Sequence, residues 1–542
     1  MNLKLLMYAR INEIAFSNFR NIKDGKIEFP NSDRAHFLGS EEPSILGLYG
    51  QNGSGKTSVI MALSILKDVL SGKSLNHRYL SCIKYGEDRC SLEFRFSMFA
   101  KVFNEEGDRL NEPNETPFLD VYYNFDIVGE ENKDGLIDNE YHKGSKTEKV
   151  LRIKNEVLKY KSIAPTGKIL VQKQTVIDTR EAACGKQKNA FGPKDKYDNF
   201  VFTDSNLAQE FKDSKAIAYS NSQSFIFATK TINCLAKSIE NLFQIDEVAT
   251  MIKKINDGIQ ENEDLASVYE NPVKENPEIL GVINYYGTVF NIIYNLRLFG
   301  SEWLQIVDTT ITGQTNINST LPLLLWNKFH CEDITLEMDK PTMVSESSYK
   351  GVEESVKGIS AVLTKIVPGL ELEFVDLGYV LSKSDEKMHS FDILSKREGT
   401  IIPLKYESDG VRRIVSILSL LVAAFNELSF TIVIDEFDSG IYEYLLGEIL
   451  LVFSESAKGQ LIFTSHNLRP LEVLPPQYLC FTTTNPANRF IKIPKRGNSN
   501  LRDTYFRSII LNKQKEEVYS QTDSYDIKLA FYKAGHGELN DG

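Results

Sequence analysis

Ser44–Tyr49 reads SILGLY, and the next eight residues, Gly50–Thr57, read GQNGSGKT. The first run is short and apolar, which predicts a buried strand. Val59, Leu63, Leu66 and Leu70 then recur at helical spacing, which predicts a helix over Lys56–Leu70. Between the two, the glycine-rich stretch matches G-x-x-x-x-G-K-[ST] in full. Phosphate binding needs this order of elements. The glycines let backbone N–H groups close around phosphate oxygens, and the helix N-terminus presents its positive end to them. The candidate phosphate-binding residues are Gly50, Asn52, Gly53, Ser54, Gly55, Lys56, Thr57 and Ser58. Lys56 would reach the β- and γ-phosphates, and the Thr57 hydroxyl would ligate Mg²⁺. The plainer alternative is a glycine-rich turn with an incidental lysine.

Far downstream, Ser429–Ile434 (SFTIVI) reads as a second buried strand and ends in Asp435-Glu436. Downstream of a phosphate loop this is the Walker B pattern. Asp435 would help hold the metal and Glu436 would polarise the attacking water. Taken alone, the same residues could be two solvated carboxylates at a strand end.

Three further segments choose among P-loop families. Leu461–Ser465 (LIFTS) predicts another buried strand, followed at once by His466. Glu407-Ser408-Asp409-Gly410-Val411-Arg412-Arg413 precedes an apolar helix predicted from Val411 to about Asn426, which runs into the acidic strand. Glu436-Phe437-Asp438-Ser439-Gly440 continues from that strand. At the N-terminus, Ile11–Phe16 and Lys26–Phe29 read as strands either side of Asn18-Phe19-Arg20.

These motifs resemble those of ABC-type ATPases of the SMC, RecF and OLD-like class, over roughly the first 100 and last 180 residues. The resemblance implies an α/β fold: an ABC-ATPase head, with a P-loop sheet and a flanking antiparallel β-layer, split by an inserted, mainly helical domain. It implies ATP and Mg²⁺ as ligands. His466 resembles the switch histidine that contacts the γ-phosphate, so Lys56, Glu436 and His466 are the candidate catalytic residues. Ser408 and Gly410 resemble the signature turn, although the family more often shows LSGGQ, and Asp438 resembles the residue after Walker B that sits near the dimer interface. In that class the signature turn meets the nucleotide of a second copy, which implies a homodimer or a higher even-numbered oligomer. The expected lobes are 1–204 with the phosphate loop and a β-rich segment, 205–365 as the helical insertion, and 366–542 with the signature turn, Walker B and the histidine.

The composition is ordinary for a globular chain, with 42% hydrophobic and 25% charged residues, and the net charge is −12. A DNA-coating protein would be basic. The six cysteines, Cys82, Cys90, Cys184, Cys234, Cys331 and Cys480, form no CxxC pair, so neither a zinc site nor a disulfide framework is expected. Scattered thiols fit a reducing cytoplasm. The apolar stretch near Ile417–Phe425 is too short to span a bilayer, so no membrane association is expected.

The middle of the chain carries weaker signals. From Leu92 to Gln174 it is β-rich. Within it, Lys143, Lys146, Lys149, Arg152, Lys154, Lys159, Lys161, Lys168 and Lys173 are opposed only by Glu148 and Glu156. That strip suits nucleic acid or the solvated face of a hairpin. Thr231–Ile252 and Ile279–Phe299 read as helices. Asp126, Glu131 and Lys133 could be forced into an acidic nuclease triplet, but a polar strand end explains them better. The 76 residues after His466 (467–542) leave no room for the TOPRIM nuclease domain of OLD-family nucleases. The resemblance then implies a sensor ATPase acting with a separate nuclease or toxin, as in bacterial antiphage defence. A RecF-like DNA-repair ATPase and a self-contained nuclease or toxin are the alternatives.

Overall fold

A computed structural model of the chain describes residues 4–32, 43–103, 118–131, 149–185, 189–201, 204–243, 277–308, 320–327, 330–337, 340–381, 387–493, 501–511, 516–519 and 523–536. The central sheet has six strands in the order Phe490–Ile491, Leu479–Thr482, Ser44–Tyr49, Gln460–Thr464, Thr431–Ile434 and Leu304–Val307. All neighbours are parallel except the terminal Phe490–Ile491. The apolar runs read from sequence become its middle strands, buried along their whole length. Burial on both faces is why they read as continuous apolar stretches.

A second sheet lies beside it. Its six strands run antiparallel in the order Ile22–Glu28, Lys4–Phe19, Arg89–Phe103, Phe118–Glu131, Lys149–Ile163 and Ile169–Asp178. This is the expected pairing of a P-loop sheet with an antiparallel β-layer. Helix Lys56–Leu70 is buried along most of its length, and one continuous apolar core joins both sheets.

Polar fastenings join the two ends of the chain. Arg10 is fully buried and donates to the carbonyls of Leu428, Asn31 and Lys458. Buried Gln460 accepts from Ile11 N at 2.9 Å and donates to Ile11 O at 2.9 Å. A glutamine amide thus does for the edge of one sheet what a neighbouring strand would do.

In the segment 205–365, helices Ser205–Ser220, Thr229–Phe243, Pro277–Leu298 and Glu346–Ile366 account for most of the described residues. The helix read as Thr231–Ile252 is described only to Phe243. The segment also holds strands Leu304–Val307, Thr320–Asn327, His330–Glu337 and Thr342–Ser345, which the sequence reading did not anticipate. Leu304–Val307 pairs with Thr431–Ile434, so the P-loop sheet takes a strand from inside the expected helical insertion. Four residues that follow a long helix with only a π-turn between carry too little periodicity to be recognised as a strand.

Candidate functional site

The carboxyl ends of parallel strands face one crevice, where ligands of open α/β sheets bind. Here that crevice is a cleft of about 620 Å³. Asn52, Gly53, Gly55, Lys56, Thr57 and Ser58 line one side, Asp435, Glu436, Thr464 and His466 another, and Arg20 and Asn21 close it.

The loop geometry follows from its glycines. Gly50, Gly53 and Gly55 have φ of 148°, 77° and 110°, a region that side chains with a Cβ rarely enter. A Cβ on Gly50 would run into the Thr482 hydroxyl. Helix Lys56–Leu70 starts from Gly55 with no side chain capping it, so its first N–H groups are left for a ligand. Lys56 Nζ donates to Gly50 O at 2.6 Å and Gln51 O at 3.2 Å. Burial lowers the pKa of Lys56, opposed by the charges of Asp435, Glu436 and Asp438. The Ser54 hydroxyl turns inward, donating to Gln51 O at 2.5 Å and bonding the Thr482 hydroxyl. Ser54 and Gly50 shape the loop and do not line the cleft.

On the opposite wall, Asp435 is buried and Glu436 is exposed. Thr464 ties them together: its hydroxyl donates to Asp435 Oδ1 at 2.5 Å and accepts from Glu436 N at 2.8 Å. Glu436 has φ of 50°, a strained conformation for a non-glycine residue and of the kind that collects at functional sites. Burial raises the pKa of Asp435, with the charge of Asp308 adding to the effect. Asp308 directly follows strand Leu304–Val307 and forms an ion pair with Arg78 at 3.6 Å.

Thr57 and Asp435 offer hard oxygen donors within one cleft. Their chemistry suits Mg²⁺, which takes few protein ligands and completes its shell with water and phosphate oxygens.

Asp438 does not line the cleft. Its carboxylate accepts from His466 N at 3.2 Å and Asn467 N at 3.1 Å and so holds the turn that presents His466. Ser408 and Gly410 are also outside the cleft. Ser408 caps helix Asp409–Asn426, accepting from Val411 N at 3.3 Å. Gly410 abuts the chain's own Gly440, whose carbonyl would lie 2.6 Å from an added Cβ. One turn later, buried Arg413 donates to the carbonyls of Asp435 at 3.2 Å and Glu436 at 3.4 Å.

The residues missed from sequence are Asn21, Thr464, Asp308 and Arg413. Asn21 Nδ2 donates to Gly53 O at 2.5 Å, and its Oδ1 accepts from Ser58 Oγ at 3.3 Å, so it straddles the phosphate loop. The turn that delivers it, Asn18-Phe19-Arg20, was legible, and Asn18 and Arg20 both have positive φ.

The other candidates do not assemble into a site. Asp126 accepts from Ser91 Oγ at 2.5 Å and Asn155 Nδ2 at 2.7 Å, and Lys133 lies outside the described residues. In the basic strip, Lys143 and Lys146 also lie outside them. Lys154 pairs with Glu130, Arg152 donates to Ser220 O at 2.8 Å, and Lys173 sits 3.4 Å over the Tyr122 ring. Cys82 and Cys90 are neighbours at 3.5 Å between sulfurs, both free. No described helix is long and apolar enough to cross a membrane.

No curated protein matches this sequence. Among solved structures, the chain is similar to the Smc head domain with an extended coiled coil bound to the C-terminal domain of ScpA, derived from Pyrococcus furiosus. Identity is 10%, coverage is 93% of this chain and 100% of that one, and the TM-score is 0.30. It is also similar to the recombination mediator protein RecF with ATP, at 14% identity, with 85% and 94% coverage and a TM-score of 0.28. A family profile described as AAA ATPase domain matches residues 10–469, a span holding the phosphate loop, the acidic strand and His466. By that match over most of its length, the chain belongs to the AAA ATPase domain family.

Proposed function

We propose that the protein binds ATP with Mg²⁺ and hydrolyses it to ADP and phosphate, in sites shared between two copies of the chain. The observation that carries this reading is the convergence of Lys56, Thr57, Asp435, Glu436 and His466, three of them more than 370 residues from the phosphate loop, on one cleft.

Backbone N–H groups of Gly53, Gly55 and the first helical turn bind the phosphate chain, and Lys56 donates to its terminal oxygens. Thr57 and Asp435 are the residues that would hold Mg²⁺, which when bound draws charge off the phosphate oxygens. Glu436, exposed and fixed by Thr464, takes a proton from water as the water oxygen bonds to the γ-phosphorus. The bond from that phosphorus to the bridging oxygen breaks and ADP leaves. His466 orients the γ-phosphate, and Asp438 sets the turn that carries it. Ser408 and Gly410 reach the γ-phosphate of a second copy, which fits their position outside the chain's own cleft.

The test is Glu436→Gln. The variant retains ATP and loses turnover, because only the proton acceptor is gone. Normal turnover by the purified variant would reject Glu436 as the base.

Biologically, the resemblance to OLD-like ATPases supports a sensor or regulatory subunit that acts with a separate nuclease or toxin in antiphage defence. Co-expression with the product of an adjacent gene tests it. ATP-dependent complex formation with a nuclease or toxin is the expected result, and a chain that is toxic by itself points to a self-contained effector. A DNA-repair role draws less support, since Lys154 and Lys173 are engaged within the β-layer and Arg152 by Ser220 of helix Ser205–Ser220.

A further inference from the structure

The terminal hairpin of the P-loop sheet, Leu479–Thr482 paired with Phe490–Ile491, is not part of the phosphate-binding motif, yet it grips that motif at two points. The Thr482 hydroxyl lies within hydrogen-bond reach of the Ser54 hydroxyl and of Tyr49 O, the latter at 3.1 Å. Arg489, only 5% exposed, donates through its two terminal nitrogens to Thr483 O and Asn21 O, each at 2.5 Å. Its methylene carbons lie 3.4 Å from where a Cβ on Gly55 would sit. Asn21 in turn holds Gly53 O and Ser58 Oγ with its side-chain amide. A contiguous path therefore runs from Arg489 through Asn21 to the middle of the phosphate loop at Gly53 and to Ser58 in the first turn of the helix after it.

Arg489 shares with Arg10 and Arg413 a buried guanidinium that donates to carbonyls, and differs from them in lying against Gly55 of the phosphate loop. No carboxylate pairs with it among the described residues, and its Nε, also buried, has no hydrogen-bond partner. Burial alone depresses its basicity. A buried guanidinium that meets only carbonyl dipoles is costly until an anion approaches. The anion this cleft is shaped for is a nucleotide phosphate chain.

We infer that Arg489 is a positioning residue of the nucleotide site: its fork sets the Asn21 turn against the phosphate loop, and its unneutralised charge behind Gly55 is compensated when a phosphate chain binds. This rests on the ATP reading above and adds a residue outside all of its motifs. A planar fork spanning two carbonyls is a task for arginine, which lysine performs only in part.

The experiment titrates N-methylanthraniloyl-ATP and the corresponding ADP into wild type, Arg489→Gln, Arg489→Lys and Lys56→Ala, and records the Tm of each without nucleotide. Arg489→Gln is expected to bind the triphosphate about tenfold more weakly, the scale of one charge–phosphate interaction in a partly screened site. The loss should be larger for the triphosphate than for the diphosphate, and Tm without nucleotide should not fall. Arg489→Lys should recover part of the affinity. A folded Arg489→Gln protein that binds both nucleotides like wild type overturns the inference, as does an equal loss for both nucleotides with a lowered Tm. If Arg489→Gln does not fold, Asn21→Ala carries the test, because it keeps the fork and cuts its link to the loop. A severalfold weaker triphosphate affinity is then expected, and wild-type affinity overturns the inference. Wild type that binds no triphosphate, or Lys56→Ala that binds it undiminished, removes the nucleotide reading and this inference together. Wild-type affinity in Arg489→Gln beside a defective Lys56→Ala removes the inference alone.

Discussion

Two helix N-termini in this chain are built from similar sequence and meet different surroundings. Helix Lys56–Leu70 starts from a glycine, has no side-chain cap and opens into a cleft walled by Asp435, Glu436 and His466. Helix Asp409–Asn426 starts from Ser408, which caps it, and its first turn faces solvent outside that cleft. Both ends carry the positive pole that attracts phosphate. The first has uncapped N–H donors together with a lysine, a threonine hydroxyl and two carboxylates. The second has a glycine and a serine and no catalytic group. One end therefore gathers Lys56, Thr57, Asp435, Glu436 and His466 in one cleft, whereas the other lies outside that cleft. Arg413 ties the second end to the carbonyls of Asp435 and Glu436, so the two are mechanically connected even though they do not share a cleft.

The largest effect expected at the first end is from Glu436→Gln. Turnover should fall by about 10²–10⁴-fold, the usual worth of a general base, while ATP stays bound. Single-turnover and binding measurements on one sample check both halves. Next, Lys56→Ala should weaken ATP binding by about 10- to 100-fold, from the loss of charge-assisted hydrogen bonds. Equilibrium titration with ATP decides it, and unchanged affinity would dissolve the contrast between the two helix ends.

The second end is tested by mixing. Gly410→Glu is a poor probe, because its side chain would first strike the chain's own Gly440 carbonyl. Ser408→Arg is better, since Ser408 is exposed. Lys56→Ala and Ser408→Arg proteins should each be inactive. Mixed in equal amounts they should recover about a quarter of wild-type activity, since half the dimers are mixed and each has one intact site. A mixture that stays inactive while mixed dimers are shown to form would mean the sites fire together or are not shared.

Acid should affect the two ends differently. Burial raises the folded pKa of Asp435 above 3.8, its ordinary value. The folded chain then holds this proton more tightly than the unfolded chain. The resulting stabilisation is present below the unfolded value and is lost as pH rises through the folded value. On the proposal that Asp435 holds Mg²⁺ as its carboxylate, metal-dependent ATP binding should change the opposite way, weakening as pH falls through the raised folded value. Asp435→Asn should remove that pH dependence, as read by magnesium-dependent ATP titrations at several pH values. The smallest effect is Ser408→Ala, which removes a helix cap and should cost about 1 kcal/mol of stability by denaturant melting. Lys56→Ala should not show this loss.

Much of the site could be read in the sequence because its chemistry is local. SILGLY followed by GQNGSGKT holds strand, loop and helix in one run, and the loop glycines Gly50, Gly53 and Gly55 fell where positive φ was needed. The acidic strand and His466 were legible because strands buried on both faces are continuous apolar runs with their functional residue at the end. Asn21, Thr464 and Arg489 were not legible, since an asparagine, a threonine or an arginine in a turn or at a strand end has no distinguishing pattern. The strand Leu304–Val307 failed for want of length, and with it Asp308.

What the sequence determined by itself is the phosphate loop, since a backbone bend and a helix end depend on adjacent residues. It also pointed to the α/β class, through the motifs that carry the resemblance and through short apolar runs bounded by turn or charged residues. The strand order was decided only by the tertiary structure. Leu304–Val307, Thr431–Ile434, Gln460–Thr464 and Ser44–Tyr49 lie side by side with their carboxyl ends at one edge. Residues hundreds of positions apart thereby become hydrogen-bonding neighbours. Spacing along the chain cannot encode that, because the pairing depends on which apolar faces bury one another in a shared core.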